Sequence, residues 1–288
     1  MTIPRIATYA MPTELPANRV DWQPDPQRAV LLIHDMQQYF LDFYDVTAEP
    51  VPTLISHIRR LREVADACGI PVVYTAQPGE QSLEQRGLLQ DWWGPGLTAR
   101  PEQAPIVAGL TPRPQDTVLT KWRYSAFVKS DLRERMQAQG RDQLIVCGVY
   151  AHIGCLMTLA DAFMHDIQPF MAADALADFS PEQHRMALDY VSQRCGVVLS
   201  TQAICQQLNP VAPLPATVAE LRAEVAKLLQ MPASDLHLDD NLLYAGLDSI
   251  RLMALVERFR HAGAKVAFVD LAERPTLAEW WPLLAAEQ

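Results

Sequence analysis

The sequence predicts an α/β protein in which a mostly parallel sheet of six strands has helices on both faces and is followed by a small helical bundle. Two observations predict this fold class. Over residues 1–208, short runs of apolar and β-branched residues alternate with segments of helical periodicity, a pattern typical of parallel strands connected by helices. Residues 217–288, beyond a proline-rich stretch, have a mostly helical pattern.

Six apolar runs are predicted to form the sheet, because each has the length of a strand and is followed by a polar residue and a helical segment. In chain order they are AVLLI (29–33), PVVYT (71–75), TVLT (117–120), QLIVCGV (143–149), PFMAA (169–173) and VVLS (197–200). Helical spacing between the runs predicts the connections, for example at Leu54, Ile58 and Leu61. Another helix is predicted from Ser180, where SPEQ is a capping signature with proline at the first helical position.

The C-terminal part begins after NPVAPLPAT (209–217), where three prolines fall within six residues and no apolar periodicity can persist. We interpret residues 209–216 as an extended, semi-rigid linker. Apolar residues at helical spacing then predict a small bundle of helices. The predicted domains are therefore 1–208 and 217–288, joined by this linker.

Composition restricts the ligands and the compartment. Lys and Arg number 24 against 34 Asp and Glu, a net charge of -10, which argues against a nucleic-acid partner. No apolar run approaches the roughly 18 residues of a membrane-spanning helix, and the first residues lack a signal-peptide core. We therefore expect a cytoplasmic protein, without membrane contact, that binds small molecules or proteins. The five cysteines include no CxxC pair, which favours reduced thiols over a disulfide framework or a structural metal site.

Polar residues follow four of the predicted strands, at ends that meet on one edge of a parallel sheet. Asp35 follows the first run, Gln77 the second and Lys121 the third, and Tyr150 to Cys155 follow the fourth. Ligands of open parallel sheets bind at this edge, so we expect an acid, an amide and an ammonium group in one pocket. The alternative is that Asp35 and Lys121 form an ordinary ion pair that caps the sheet.

Side chains in the loops beyond these ends could complete the pocket. Arg86 suits a substrate carboxylate because guanidinium groups bind carboxylates in bidentate fashion, and Trp93 could wall off a ring-sized ligand. The alternatives are a solvent-facing arginine and a tryptophan buried as packing. His34 and His152 each adjoin a candidate residue, but neither has a partner that can be named, so we interpret both as structural.

Four segments resemble the isochorismatase-like hydrolase superfamily: LLIHDMQQYF, YTAQP, LTKWRYSAF and GVYAHIGCLMTLADAF. The resemblance implies the three-layer fold of that superfamily, whose cysteine hydrolases use an Asp–Lys–Cys triad, and Asp35 and Lys121 match its first two members. The nucleophile of those hydrolases lies six residues after the first glycine of the fourth segment, which is Gly154 when counted from Gly148. Cys155 falls one residue late, and one residue turns a helical side chain by about 100°.

Further matches at YAMP, TAQPGEQ, DWWGPGLT and the C-terminal region make the chain similar over nearly its full length to a family of bifunctional proteins. These are the isochorismatase and aryl carrier proteins of catecholate siderophore synthesis, of the enterobactin and vibriobactin type. The resemblance implies hydrolysis of isochorismate to 2,3-dihydro-2,3-dihydroxybenzoate and pyruvate by acid-catalysed cleavage of its vinyl ether, with no metal required. The catalytic residues that it implies are Asp35, Lys121 and Gly154, of which Asp35 is the proton donor. The substrate-binding residues that it implies are Gln77, Arg86, Trp93, Tyr150 and Cys155.

The segment AGLDSI (245–250) resembles the phosphopantetheine attachment site of carrier proteins. The resemblance implies that Ser249 carries covalent 4′-phosphopantetheine and that Asp248 is a candidate ligand for Mg²⁺ during its transfer. In most proteins an Asp-Ser pair before an apolar helix is only a helix cap, but its place after a proline-rich tether favours the carrier interpretation. Candidate docking contacts for partner enzymes, unless they complete the core of the bundle, are Ile250, Met253 and Phe268.

The resemblance also implies partners. The carrier would receive 2,3-dihydroxybenzoate as a phosphopantetheine thioester, which requires a 2,3-dihydroxybenzoate-AMP ligase, a phosphopantetheinyl transferase and a nonribosomal condensation domain. We expect a homodimer by the same resemblance. Two competing functions are a cysteine amidase of the nicotinamidase type that uses Cys155, and a non-catalytic scaffold that only presents Ser249.

Overall fold

A computed structural model describes residues 3–208 and 214–285 of the chain. The chain divides into two compact units, Met1–Asn209 and Pro210–Gln288, and each unit has its own core. Most of the predicted linker lies outside the described residues, so the linker stays a prediction. No helix within the described ranges is both long and apolar enough to cross a bilayer.

The first unit contains a six-stranded, fully parallel sheet, which confirms the prediction. Its strands are β1 Ala29–His34, β2 Val72–Ala76, β3 Thr117–Thr120, β4 Gln143–Val149, β5 Gln168–Ala177 and β6 Val197–Leu199, in the spatial order β3-β2-β1-β4-β5-β6. The fifth strand was predicted to end at 173, but β5 continues to Ala177. Asp174 interrupts the apolar run without ending the strand, because its carboxylate accepts the backbone N–H of Thr201 at 2.6 Å.

Helices connect the strands. They are α1 Gln38–Leu41, α2 Val51–Ala67, α3 Leu83–Arg86, α4 Leu88–Trp93, α5 Leu132–Ala138, α6 Leu156–Met164, α7 Pro181–Arg194 and α8 Thr201–Leu208, with 3₁₀ turns at Gly96–Ala99, Pro101–Gln103 and Ala108–Leu110 and a π-helical turn at Ala151–Cys155. As predicted, α7 begins with a proline after Ser180, whose hydroxyl accepts the N–H of Gln183 at 3.3 Å.

The side chains of β1 alternate between two cores on opposite faces of the sheet. Leu31 and Ile33 pack with the apolar face of α2, whereas Val30 and Leu32 pack with α6 and α7. Because both cores are closed by helices, the unit has three layers, as the resemblance implies. In the centre of the sheet, His34 at the end of β1 is paired with Gly148 of β4, so the residues that follow these two strands lie next to each other.

The second unit is a helical bundle in its described part. Its elements are α9 Val218–Leu229, a 3₁₀ turn at Ala233–Asp235, α10 Ser249–His261, α11 Phe268–Ala272 and α12 Leu277–Ala285. Leu221, Phe259, Leu271 and Trp280 are fully buried at its centre, and the indole N–H of Trp280 donates to the backbone oxygen of Leu271 at 3.0 Å. The buried aromatic side chains therefore fix the helices around one apolar core.

The predicted docking residues lie outside this core. Ile250 is 82% exposed, Met253 is 56% exposed and Phe268 is 37% exposed. The alternative that these side chains complete the bundle is therefore wrong, since the core is closed without them. Their role as docking contacts stays a prediction.

Candidate active site

A cavity of about 60 Å³ lies at the carboxyl ends of β1 to β4, the edge of the sheet that the sequence indicates. Asp35 follows β1, Gln77 follows β2 and Lys121 follows β3, while Tyr150 and Gly154 come after β4, and all of them line the cavity. Side chains from four strand ends therefore lie around one cavity, as the sequence predicts.

Asp35 lies in a buried ion pair inside the cavity. The ammonium of Lys121 donates to Oδ2 of Asp35 at 2.8 Å, and the hydroxyl of Thr75 donates to Oδ1 at 2.6 Å. Burial opposes ionisation of the carboxyl group, but nearby His34 and Lys121, together with the two hydrogen bonds, outweigh burial, so the pKa of Asp35 lies below its usual value. The ion pair weighed as an alternative is present, but it faces a cavity and does not merely cap the sheet.

Arg86 is a buried cation without an acidic partner among the described residues. Its side chain is 4% exposed, and its Nε donates to the backbone oxygen of Gly94 at 2.5 Å, whereas Nη1 has no hydrogen-bond partner in the described ranges. Burial lowers the pKa of the guanidinium below its usual value. The alternative of a solvent-facing arginine is therefore wrong, and the free edge of the guanidinium suits a ligand carboxylate.

Gln77 is positioned through its backbone. The side-chain oxygen of Gln37 accepts the N–H of Gln77 at 2.8 Å, and the side-chain nitrogen of Gln37 donates to the carbonyl oxygen of Gln77 at 2.8 Å. Gln37 itself is fully buried, so this double hydrogen bond fixes the end of β2. Within the described ranges the amide of Gln77 has no protein partner, and it can bind a ligand.

Aromatic side chains form one wall of the cavity. The indole N–H of Trp93 donates to the hydroxyl of Tyr124 at 2.7 Å, and the hydroxyl of Tyr150 donates to the backbone oxygen of Phe40 at 2.7 Å. Phe179 packs edge-on against both Trp93 and Tyr150, at centroid distances of 6.2 and 4.7 Å. These hydrogen bonds satisfy the polar ends of the rings and direct their apolar parts toward the cavity, which suits an unsaturated ring.

Two family models match the chain. The model of the isochorismatase domain matches residues 29–203, and the model of the phosphopantetheine attachment site matches residues 219–280. The chain belongs to the isochorismatase family. The isochorismatase of Bacillus subtilis is 50% identical over 99% of this chain and 96% of its own length. Enterobactin synthase component B of Escherichia coli is 51% identical over 100% of this chain and 99% of its own length. The family resemblance seen in the sequence is confirmed.

Solved structures share the fold of the isochorismatase unit. The crystal structure of a cysteine hydrolase from Pseudomonas syringae is 22% identical, with a TM-score of 0.58 over 67% of this chain and 96% of that chain. At this level of identity the likeness supports the fold alone.

In the isochorismatase unit, no cysteine among the described residues lines the cavity. Cys155 ends the π-helical turn, is fully buried and packs in the core that contains α6 and α7. Burial raises the pKa of its thiol well above the usual value, and a nucleophilic cysteine needs an accessible thiolate. The prediction that Cys155 binds substrate is therefore wrong, because the one-residue offset in a helical turn directs the thiol into the core.

His34 is a cavity residue that the sequence interpretation missed. Its Nδ1 lies 2.8 Å from the backbone oxygen of Val149, as expected for a structural histidine, but Nε2 has no hydrogen-bond partner among the described residues. Its imidazole lies against Gly154, the position where cysteine hydrolases carry their nucleophile. Adjacency to Asp35 was the one signal in the sequence, and it did not reveal which way the ring points.

Other parts of the cavity wall also escaped prediction. Phe179 follows β5 as the other site residues follow their strands, but the predicted strand ended too early to show it. His152, in contrast, is a structural histidine, as the sequence analysis interprets it. Its Nδ1 lies 2.5 Å from the carboxylate of the buried Asp178. The remaining lining residues are Ile3, Tyr39, Phe40, Leu89, Gly96, Leu97, Tyr124, Val149 and Ile153.

The carrier unit presents the serine of its attachment motif to solvent. Ser249 is exposed at the first position of α10, and the preceding Asp248 caps this helix by accepting the N–H of Arg251 at 2.8 Å. Gly246 has a φ of 103°, which favours glycine in the turn before the helix. The exposed hydroxyl fits covalent phosphopantetheine, which the attachment-site model implies for this domain. The Mg²⁺ role of Asp248 stays a prediction, since no group of three metal-binding side chains occurs in the described ranges.

Proposed function

We propose that the α/β unit hydrolyses isochorismate to 2,3-dihydro-2,3-dihydroxybenzoate and pyruvate. The observation that carries this proposal is the combination of the Asp35–Lys121 ion pair with the unpartnered guanidinium of Arg86, in a cavity that has Gly154 where a nucleophile would lie. Isochorismate carries two carboxylates and an enolpyruvyl ether. Cleavage of that ether needs a general acid and a water molecule, and it needs no covalent intermediate.

Asp35 is proposed to supply the proton. The proton adds to the terminal vinyl carbon and leaves an oxocarbenium ion, which water captures. The proton released when water adds returns to Asp35. The hemiketal then breaks the bond between its central carbon and the oxygen attached to the ring, this oxygen takes up the proton of the hemiketal hydroxyl, and pyruvate and the dihydroxy acid are formed. In the ligand-free cavity the pKa of Asp35 is lowered, but a dianionic substrate and the exclusion of water raise it when substrate binds.

The other cavity residues are proposed to orient the substrate. Arg86 binds one carboxylate through its free edge, and Lys121 and Gln77 hold carboxylate or hydroxyl groups close to Asp35. Tyr150 and the backbone of Gly154 form the floor near the pyruvyl group, and Trp93 covers the ring. This arrangement brings the vinyl carbon to the acid and limits the access of bulk water.

The Asp35→Asn variant tests the acid. It removes the transferable proton but preserves the size of the side chain, so kcat for pyruvate release should fall by at least about 100-fold, the lower end of the contribution of a general acid. Circular dichroism and thermal unfolding serve as controls for the fold. Turnover close to the wild-type value in a folded variant would remove Asp35 from this role.

For the carrier unit we propose that Ser249 bears phosphopantetheine, whose terminal thiol would carry 2,3-dihydroxybenzoate as a thioester. The exposed hydroxyl at the start of α10 supports this assignment. The partners we propose are a phosphopantetheinyl transferase, a 2,3-dihydroxybenzoate-AMP ligase and a nonribosomal condensation domain. Ile250, Met253 and Phe268 are proposed as their docking contacts because these apolar side chains are exposed. A homodimer is proposed from the family resemblance.

Intact-mass analysis tests the carrier assignment. Incubation with coenzyme A and a transferase of broad specificity should add one phosphopantetheine, and ATP, ligase and 2,3-dihydroxybenzoate should then add one aryl group. Ser249→Ala should abolish both additions but leave pyruvate release unchanged, because Ser249 belongs to a separate unit. Modification of the Ser249→Ala variant would place the attachment site elsewhere.

A further inference from the structure

Two buried side-chain atoms in residues that line the cavity have no hydrogen-bond partner among the described residues. One is Nη1 of Arg86, and the other is Nε2 of His34. Buried polar atoms are rarely left unpaired, because an unmade hydrogen bond is costly. Arg86 has a role in the proposed reaction as a donor to a carboxylate, whereas His34 has none so far.

The hydrogen bond of Nδ1 determines what Nε2 can do. The backbone oxygen of Val149, 2.8 Å from Nδ1, can only accept, so in the neutral ring Nδ1 carries the hydrogen and Nε2 carries the lone pair. Burial lowers the pKa of His34 to about 4, with Lys121 acting in the same direction and Asp35 and the hydrogen bond to Val149 acting against it. The backbone of Tyr124 also raises this pKa but lies outside hydrogen-bonding geometry, since Nε2 has no hydrogen-bond partner among the described residues. The imidazole is therefore neutral near pH 7, and Nε2 is a hydrogen-bond acceptor.

Two glycines leave room for His34, one beside its backbone and the other beside its ring. A Cβ atom at Gly148 would collide with the backbone of His34, and a Cβ atom at Gly154 would lie 2.7 Å from Nε2 and closer still to Cε1. The ring is fully buried and occupies the space from which the nucleophile of a cysteine hydrolase would project. The imidazole therefore lies directly against the turn that follows β4.

We propose that His34 is a substrate-binding residue that accepts a hydrogen bond through Nε2 from the ring hydroxyl of isochorismate, the group next to its ether. The proposal rests on the proposed isochorismatase function and adds a specificity determinant to it. In this arrangement Arg86 donates to a carboxylate and His34 accepts from a hydroxyl. The two buried unpaired atoms, one a donor and the other an acceptor, thus pair with an acceptor and a donor on the same ligand. A site that binds a hydroxyl in this way discriminates against a ligand that lacks it, because the acceptor is then left buried and unpaired.

The test compares isochorismate with its deoxy analogue, which keeps the ether and both carboxylates but has hydrogen in place of the ring hydroxyl. Pyruvate release by the wild type should favour isochorismate in kcat/KM by at least about 100-fold. His34→Asn keeps a donor for Val149 but lacks an acceptor at the Nε2 position, so the preference should drop by at least about tenfold, chiefly through slower use of isochorismate. His34→Gln, which can place an amide oxygen near the Nε2 position, is the matched control and should retain more of the preference.

Several results would overturn the proposal. If the wild type used both substrates equally, His34 would not recognise the hydroxyl. If His34→Asn slowed the use of both substrates by the same factor, the same conclusion would hold, and His34 would instead be assigned to positioning the attacking water. If the wild type released no pyruvate from isochorismate, the proposed function itself would fail. If the variants do not fold, the ¹⁵N chemical shift of Nε2 in the wild type decides. It should show an unprotonated nitrogen whose signal moves when the dihydroxy product binds but not when the corresponding deoxy product binds, and equal shifts with both would contradict the proposal.

Discussion

The Gly154→Ala variant offers a quantitative test of how the cavity is built. The added methyl group would lie 2.7 Å from Nε2 of His34, where ordinary contact begins at 3.4 Å, and the overlap with Cε1 is greater. The ring must therefore shift by an amount on the order of 1 Å, against a fully buried setting. Overpacking of this kind costs about 1–3 kcal/mol.

Differential scanning calorimetry on the full chain measures this cost. For a unit of this size, 1 kcal/mol corresponds to about 2–4 °C in Tm, so Gly154→Ala should lower the Tm of the α/β unit by about 2–12 °C and should reduce pyruvate release as well. The control is the same substitution made in a His34→Ala background, where the ring is absent and the methyl group has room. The cost of Gly154→Ala should then shrink by about 0.5–3 kcal/mol, the usual coupling energy of residues in contact. Additive effects, or an unchanged Tm in the single variant, would refute the steric coupling of His34 and Gly154.

Three further predictions follow from the geometry. Arg86→Lys replaces a bidentate donor by a point charge, so KM for isochorismate should rise by about tenfold or more in a steady-state pyruvate assay, and an unchanged KM would contradict carboxylate binding. Cys155→Ala should leave pyruvate release within about twofold of wild type and insensitive to iodoacetamide, because the thiol is buried away from the cavity; loss of activity in a folded variant would revive the amidase alternative. Lys121→Met removes a charge that lowers the pKa of Asp35, so the decline of kcat/KM with rising pH should move to higher pH; a shift to lower pH would be incompatible with Asp35 as the acid.

The sequence was sufficient to locate the catalytic edge of the sheet because the relevant rule depends only on strand order. Asp35, Gln77 and Lys121 each follow a run of buried residues, and parallel strands bring such positions together whatever the loops between them do. The place of Gly154 also followed from register within one strand-turn-helix segment. In both cases the local sequence pattern is sufficient to determine where the residue lies in the fold.

Features that depend on side-chain direction were not predictable in the same way. The thiol of Cys155 and the imidazole of His34 both adjoin predicted site residues in the chain, yet the first points into the core and the second lines the cavity. The difference arises from the π-helical turn after β4 and from Gly154, which leaves room for the ring. Neither feature can be predicted from the pattern of apolar residues. Phe179 was missed for a related reason, since a partly buried acid within β5, Asp174, concealed the true end of that strand.

The charges of the cavity suggest how an acid with a lowered pKa can be protonated when it is needed. The ionised groups that line the described cavity are Asp35, Lys121 and Arg86, which together carry one net positive charge while His34 is neutral. Isochorismate carries two negative charges, so the site and the bound substrate together have a net charge of about −1. Uptake of a proton by Asp35 restores the balance, because it frees Lys121 to face the second carboxylate while Arg86 binds the first. When a dianion binds, the pair that holds Asp35 ionised in the empty cavity thus becomes a protonated acid, whose proton is taken up from solvent, and a second cationic contact.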